Sequence, residues 1–213
     1  MTADDSQANT AGSADAADED EVGINFVDIL FALVIGEALL ALNRALHMPA
    51  AGIAHLIFAM ILTVTSWVGY HRSAYRYTGS INFNVHKPAG LVHLAKFLLD
   101  IVLVILYWVA VQTAEWGFSP RHQSPSYRWS TAIAASVFFI YVLWDLLSWA
   151  SKGVERGAWN TSRRRASVIF FIMVLLVMIL SFIFSPTGNS WVAAIDSTLI
   201  VLVLLYRVAK DWA

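Results

Sequence analysis

The chain has 213 residues, of which 58% are hydrophobic and 14% charged, and its formal net charge is −1. Its mean hydropathy of +0.62 excludes an ordinary soluble domain, and the balanced charge gives no sign of a nucleic-acid partner. Cysteine is absent, which excludes a disulfide framework and a thiolate metal site. The composition indicates an integral membrane protein whose main partner is the lipid bilayer.

The first 22 residues differ in composition from the rest of the chain. Seven of the 15 acidic residues lie among residues 1–21, where there is no Lys or Arg. A stretch with so little to bury stays unfolded, and it lacks the basic start of a signal peptide. We predict a disordered acidic tail over residues 1–22, followed by a transmembrane domain over residues 23–213. A role of the tail in binding a partner or attracting cations remains open.

The first apolar segment, residues 26–46, is long enough to cross a bilayer at about 1.5 Å per residue. It carries Asp28 near its start and Glu37 near its middle. At about 100° per residue, nine positions place these two acids on opposite faces of one helix. A charge inside a membrane costs at least ~2.5–3.5 kcal/mol, so each acid is expected to face protein, water or a cation.

Five further apolar segments follow, at residues 52–70, 93–112, 130–150, 166–184 and 191–206. The segment at 166–184 is the most uniformly apolar and is expected to touch lipid. The sequence therefore predicts an all-α polytopic membrane protein with six transmembrane helices.

The basic residues predict the orientation. With six spans, the side that holds both termini carries 11 Lys and Arg residues, and the other side carries 3, namely Arg44, Arg121 and Arg128. By the positive-inside rule, both termini are expected in the cytoplasm.

Several polar residues are expected near the cytoplasmic ends of the spans: Asp28, His71, Arg72, Asp100 and Asp145. One interpretation is a polar cluster, paired by charge or hydrogen bonds, that locks the helices together; the other is a direct part in ion or proton transfer. Lys96 and Asp100 are four residues apart and can neutralise each other on one helix face. Asp196 falls toward the outer side.

Glu37 alone is expected near the membrane midplane, and no basic residue of the sequence shares its depth. This favours a place on an ion path, whereas a protonated Glu37 hydrogen-bonded between helices is the competing interpretation. The sequence has no phosphate-binding loop, zinc-protease motif or nucleophile elbow. We therefore expect no catalytic residues, no metal and no cofactor, and not an enzyme.

The start of the first span and the end of the second carry a family resemblance. Phe26-x-Asp28-x-x-Phe31-Ala32 resembles the motif that opens helix 1 of the transmembrane protein 175 family of potassium channels. Ser66-Trp67-x-x-Tyr70-His71-Arg72 is similar to that family's aromatic–histidine–basic ending of helix 2. The chain departs from the motif at Val27, where the family has serine, and at Ile29, where glycine is usual.

The resemblance implies a homotetramer in a prokaryotic cell membrane, with helix 1 of each subunit lining a pore for monovalent cations. Carried over by position, Asp28 would hold the inner end of helix 1 by hydrogen bonds, and Leu33 would form an apolar constriction with Leu40 two turns above. Glu37 would lie between them, where the family is apolar or hydroxylic. A carboxylate there suggests a path for cations or protons.

These observations lead to the prediction of an oligomeric six-helix cation channel. Two alternatives stay open: a proton- or cation-coupled transporter, and a non-conducting membrane subunit for assembly or sensing.

Overall fold

A computed structural model describes residues 26–43, 50–74, 88–116, 127–150, 161–184 and 188–212 of the chain. All of these residues are helical except Gly188. Six of the helices are long and apolar enough to cross a membrane, so the predicted all-α class with six spans is confirmed. The predicted acidic tail at residues 1–22 lies outside the described residues.

The six helices follow one another along the chain. They are α1 (Phe26–Asn43), α2 (Ala50–Ala74), α3 (Pro88–Trp116), α4 (Tyr127–Ala150), α5 (Thr161–Phe184) and α6 (Asn189–Trp212). At about 1.5 Å per residue, the 29 residues of α3 span about 44 Å, more than the ~30 Å hydrocarbon core of a bilayer. Six such helices make the protein an integral membrane protein.

Successive helices run in opposite directions. The start of α1 contacts the end of α2 through Asp28 and His71, and the start of α4 contacts the end of α5 through Arg128 and Phe182. The bundle therefore has a terminus end, which holds the start of α1 and the end of α6, and an opposite end, where α1 ends and α6 begins.

The core forms because each helix presents an apolar stripe to its neighbours. On α1 the buried residues recur every three or four positions, which is the spacing of one helix face. They are Val27, Phe31, Val34, Ala38 and Ala41. The Phe31 ring contacts Tyr70 of α2 and Tyr107 of α3, so α1 packs against both of these helices.

Helix α5 has the smallest share of buried residues among the six spans. Large apolar side chains cover its exposed faces, among them Ile172, Leu176, Ile179 and Ile183. This surface has the character of a lipid-facing helix, as the uniformly apolar sequence indicates. Gly188 precedes α6 with a φ of 109°, a left-handed conformation that glycine adopts without steric cost.

Candidate functional site

Helix α1 carries its two acids on either side of its buried stripe. Asp28 and Glu37 are both half-buried, about 180° apart around the helix axis. Leu33 and Leu40 lie on the outward face of α1 and are 65% and 61% exposed. The acids therefore border a face that the chain's own core does not cover.

Asp28 connects the start of α1 to the end of α2. Its Oδ1 lies 2.9 Å from Nε2 of His71 and accepts a hydrogen bond from Nε1 of Trp67 at 3.2 Å. The Trp67 and His71 rings meet edge to face with centroids 4.8 Å apart. Two donors from successive turns of α2 thus hold one carboxylate, which fixes how α1 enters the bundle.

Glu37 is bound to α3 within the same chain. Nε2 of Gln112 donates a hydrogen bond to Oε1 of Glu37 at 3.3 Å. Around the helix, Glu37 lies about 50° from the line through Leu33 and Leu40. The sequence placed all three on one face, whereas the structure places Glu37 at the border of that face, with its carboxylate bound to the chain's own α3.

The other members of the predicted polar cluster have different partners. Asp145 lies 3.3 Å from the Lys210 ammonium on α6 rather than beside α1. Asp100 interacts electrostatically with Lys96 on its own helix and with Tyr70 on α2. Arg72 belongs to α2, but its side chain is outside the described part of the structure.

A closed ring of hydrogen bonds surrounds Asp145 at the terminus end. Lys210 donates to Asp145 and, at 2.8 Å, to the Tyr206 hydroxyl. Ser167 donates to Asp145, and its oxygen is 3.1 Å from the Tyr206 hydroxyl, which can donate to it. These four residues connect α4, α5 and α6 and leave the buried carboxylate well neutralised.

Arg207 extends this ring to α2 and α3. One of its guanidinium nitrogens donates to Ser66 and to the Tyr141 hydroxyl, each at 3.1 Å, and the Tyr141 hydroxyl is 3.0 Å from that of Tyr107. A Cβ atom at Gly69 would clash with the Arg207 guanidinium, so glycine there allows the arginine to lie against α2. We call Ser66, Tyr107, Tyr141, Asp145, Ser167, Tyr206, Arg207 and Lys210 the tyrosine–basic network.

A second polar group is buried at the opposite end. Nδ1 of His55 on α2 lies 3.3 Å from Oδ2 of Asp196 on α6, with side chains 6% and 0% exposed. Nε2 of His55 lies 3.0 Å from the Thr113 hydroxyl on α3. Neither oxygen of Asp196 has an aligned hydrogen-bond donor among the described residues. We call these three residues the His55–Asp196 site.

Sequence patterns identified Asp196 only as an acid at the outer depth and did not identify His55. The available signal was a lone histidine in an apolar stretch of α2, at a depth matching Asp196. From the sequence, Arg207 and Lys210 count only among the 11 basic residues on the side of the termini, although Tyr206 and Lys210 are four residues apart and so share a helix face.

Comparison with known proteins finds no match. No family model matches the chain, and neither a curated protein nor a solved structure resembles it significantly.

Proposed function

We propose that the protein is a cation channel assembled from several copies of the chain, with α1 of each copy lining the path. The observation that carries the proposal is the uncovered face of α1. This face combines large apolar side chains, namely Ile29, Leu33, Leu39 and Leu40, with small and polar residues, namely Ala32, Gly36 and Asn43, all exposed in the single chain. Small and polar residues are typical of helix contacts inside membranes, whereas α5 shows the large apolar side chains of a lipid contact.

The chemistry of that face suits passage of small cations. Rings of Leu33 and Leu40 would narrow the path, and the Glu37 carboxylate between them would attract cations or exchange protons. The resemblance of α1 and α2 to the transmembrane protein 175 family supports a homotetramer and a monovalent ion such as potassium.

We further propose that the protein lies in a prokaryotic cell membrane with both termini in the cytoplasm. The 11 to 3 distribution of Lys and Arg supports this orientation. It places the tyrosine–basic network in the cytoplasmic half of the membrane and the His55–Asp196 site in the outer half. The function proposed is transport rather than catalysis.

Flux through purified full-length protein in liposomes tests the proposal. Potassium, sodium and proton gradients are imposed separately, with empty liposomes and the Glu37→Gln variant as comparisons. Passive flux down any one cation gradient, changed in size by Glu37→Gln, is expected. Absence of flux with every cation would exclude the channel and favour a non-conducting assembly or sensing subunit.

A coupled transporter is the second candidate, and the buried His55–Asp196 site favours it. An acid and a histidine held inside a helix bundle are typical of proton relays in transporters. The same liposomes distinguish the two: uptake of one ion that requires an opposing or accompanying proton gradient indicates coupling, whereas flux of one ion alone indicates a channel.

A further inference from the structure

The number of protons held by His55 and Asp196 can be inferred from the contacts of their side chains. Asp196 is completely buried, and His55 Nδ1 at 3.3 Å is the polar group that the structure places against it. A bare carboxylate in such a place is strongly disfavoured. A proton on the imidazole or on the carboxyl group itself removes the excess charge, and in both cases the pair holds one added proton.

The hydrogen bonds of Thr113, on the Nε2 side of the His55 ring, indicate where the hydrogens of His55 lie. Its hydroxyl oxygen is 3.0 Å from the carbonyl oxygen of Ala110 in the preceding turn, a bond in which the hydroxyl must donate. A hydroxyl has a single hydrogen, so in this arrangement Thr113 can only accept from His55. Nε2 of His55 therefore carries a hydrogen, and the position between Nδ1 and Asp196 requires one more.

The same residues also accommodate the state without that proton. If the Thr113 hydroxyl turns from Ala110 toward the ring, it donates to Nε2, and the remaining hydrogen of a neutral His55 is on Nδ1, facing Asp196. The contact between Nε2 and the Thr113 hydroxyl is then a hydrogen bond in both states, and the two states differ by one proton and one hydroxyl rotation.

We propose that His55 and Asp196 form a proton-binding site in the half of the bundle away from the chain termini, with Thr113 adapting to its loaded and empty states. Proton release leaves Nε2 of His55 without its hydrogen, and proton uptake restores it. Asp196 is seven residues, about 10 Å, beyond the start of α6, so exchange is with the nearby aqueous side.

Few of the described side chains around the site titrate. Among the described side chains, α3 contributes Thr113 and Gln112, neither of which titrates, and α2 contributes the Phe58 ring beside His55. Glu37 on α1 is hydrogen-bonded to Gln112 of α3. On α4, Arg128 is exposed and stacks on Phe182 of α5. The site lies apart from the α1 face, so it stands whether or not the protein conducts ions.

Nitrogen NMR of full-length protein in lipid, labelled at its six histidines, tests the proposal. His55→Gln identifies the His55 signals by subtraction. Over the pH range in which the protein stays folded, the wild-type Nε2 of His55 should change from protonated to unprotonated. In Asp196→Asn the ring should stay in one neutral form over that range. Asp28→Asn, which alters the partner of His71, should leave the His55 signals unchanged.

A second pair of variants keeps the test decisive if Asp196→Asn does not fold. Thr113→Val removes the hydroxyl and should weaken proton binding about tenfold, since hydrogen bonds to charged groups are stronger than those to neutral ones. Thr113→Ser keeps the hydroxyl and should stay within about twofold of wild type. An Nε2 that keeps its proton at every pH, or equal titration of Thr113→Val and Thr113→Ser, would contradict the proposal.

Discussion

The carboxylates of this protein differ most in how completely each is enclosed and neutralised. The Asp28 side chain is 32% exposed and has two donors from α2, whereas that of Asp145 is 7% exposed and closed within a ring of hydrogen bonds. Glu37 accepts a hydrogen bond from Gln112 and borders an uncovered face of α1. A carboxylate therefore connects helices inside the bundle at one position and lies beside an uncovered helix face at another.

Asp145 is expected to be structural. Asp145→Ala removes the carboxylate that accepts from the Lys210 ammonium and the Ser167 hydroxyl, and the lost bonds should cost about 1–3 kcal/mol of stability. Thermal unfolding in detergent measures the loss. Asp28→Ala, at a more exposed site, should cost less. Adding Lys210→Met to Asp145→Ala should recover part of the loss; equal stability of wild type and Asp145→Ala would refute this account of the network.

Glu37 is expected to act on ions more than on folding. Glu37→Gln keeps the shape and an oxygen that can accept from Gln112, so stability should change by less than about 1 kcal/mol. Removal of the carboxylate charge should alter cation flux and its pH dependence. Gln112→Leu removes the hydrogen bond and retains the charge, so it serves as the matched control. Flux through Glu37→Gln equal to wild type at every pH would make Glu37 a packing residue.

Helix packing depends on contacts between side chains of different helices, which the residue pattern of one helix does not reveal. Arg207 of α6 crosses to Ser66 of α2 because Gly69 leaves space for its guanidinium. The contact is specific to this pair of helices and explains why a basic residue near the end of a span lies partly inside the bundle.

Gly69→Ala should therefore displace the flexible end of Arg207 from Ser66 and Tyr141 and lower stability by up to about 1 kcal/mol, the lost hydrogen bonds outweighing the better helix propensity of alanine. The cost should largely vanish in the Arg207→Ala background, where the methyl group meets no guanidinium. A double-mutant cycle of unfolding free energies measures this coupling. An equal loss of stability from Gly69→Ala in both backgrounds would show that the loss does not come from contact with Arg207.

Local sequence patterns predicted the helices but did not predict which side chains of different helices contact each other. Hydropathy and length predicted all six spans, and the spacing of Val27, Phe31 and Val34 on α1 matches its buried stripe. The contact of His55 with Asp196 joins residues 141 positions apart, so no periodicity could indicate it. The partner of Asp145 was equally hidden, because Lys210 is as easily interpreted as an interfacial charge that determines topology.

The whole molecule should have both termini on the cytoplasmic side. The native chain lacks cysteine, so single cysteines can be introduced without background labelling. Cysteines in place of Gly157 and Ala213 should be shielded from an impermeant thiol reagent in intact cells, and one in place of Ser124 should react. A reactive cysteine at position 157 would reverse the orientation and exchange the two membrane halves.

The central claim is that the exposed face of α1 lines a cation path between copies of the chain. The most direct measurement is cation flux in liposomes through Leu33→Cys and Leu40→Cys, before and after a small charged thiol reagent. Leu176→Cys on lipid-facing α5 is the matched control, since Leu176 is also exposed in the single chain, by 54%. We predict that modification at positions 33 and 40 reduces flux at least about fivefold, because a charged adduct blocks a narrow apolar path, and that position 176 is unaffected. Flux that persists unchanged after full modification at 33 and 40 would contradict the account.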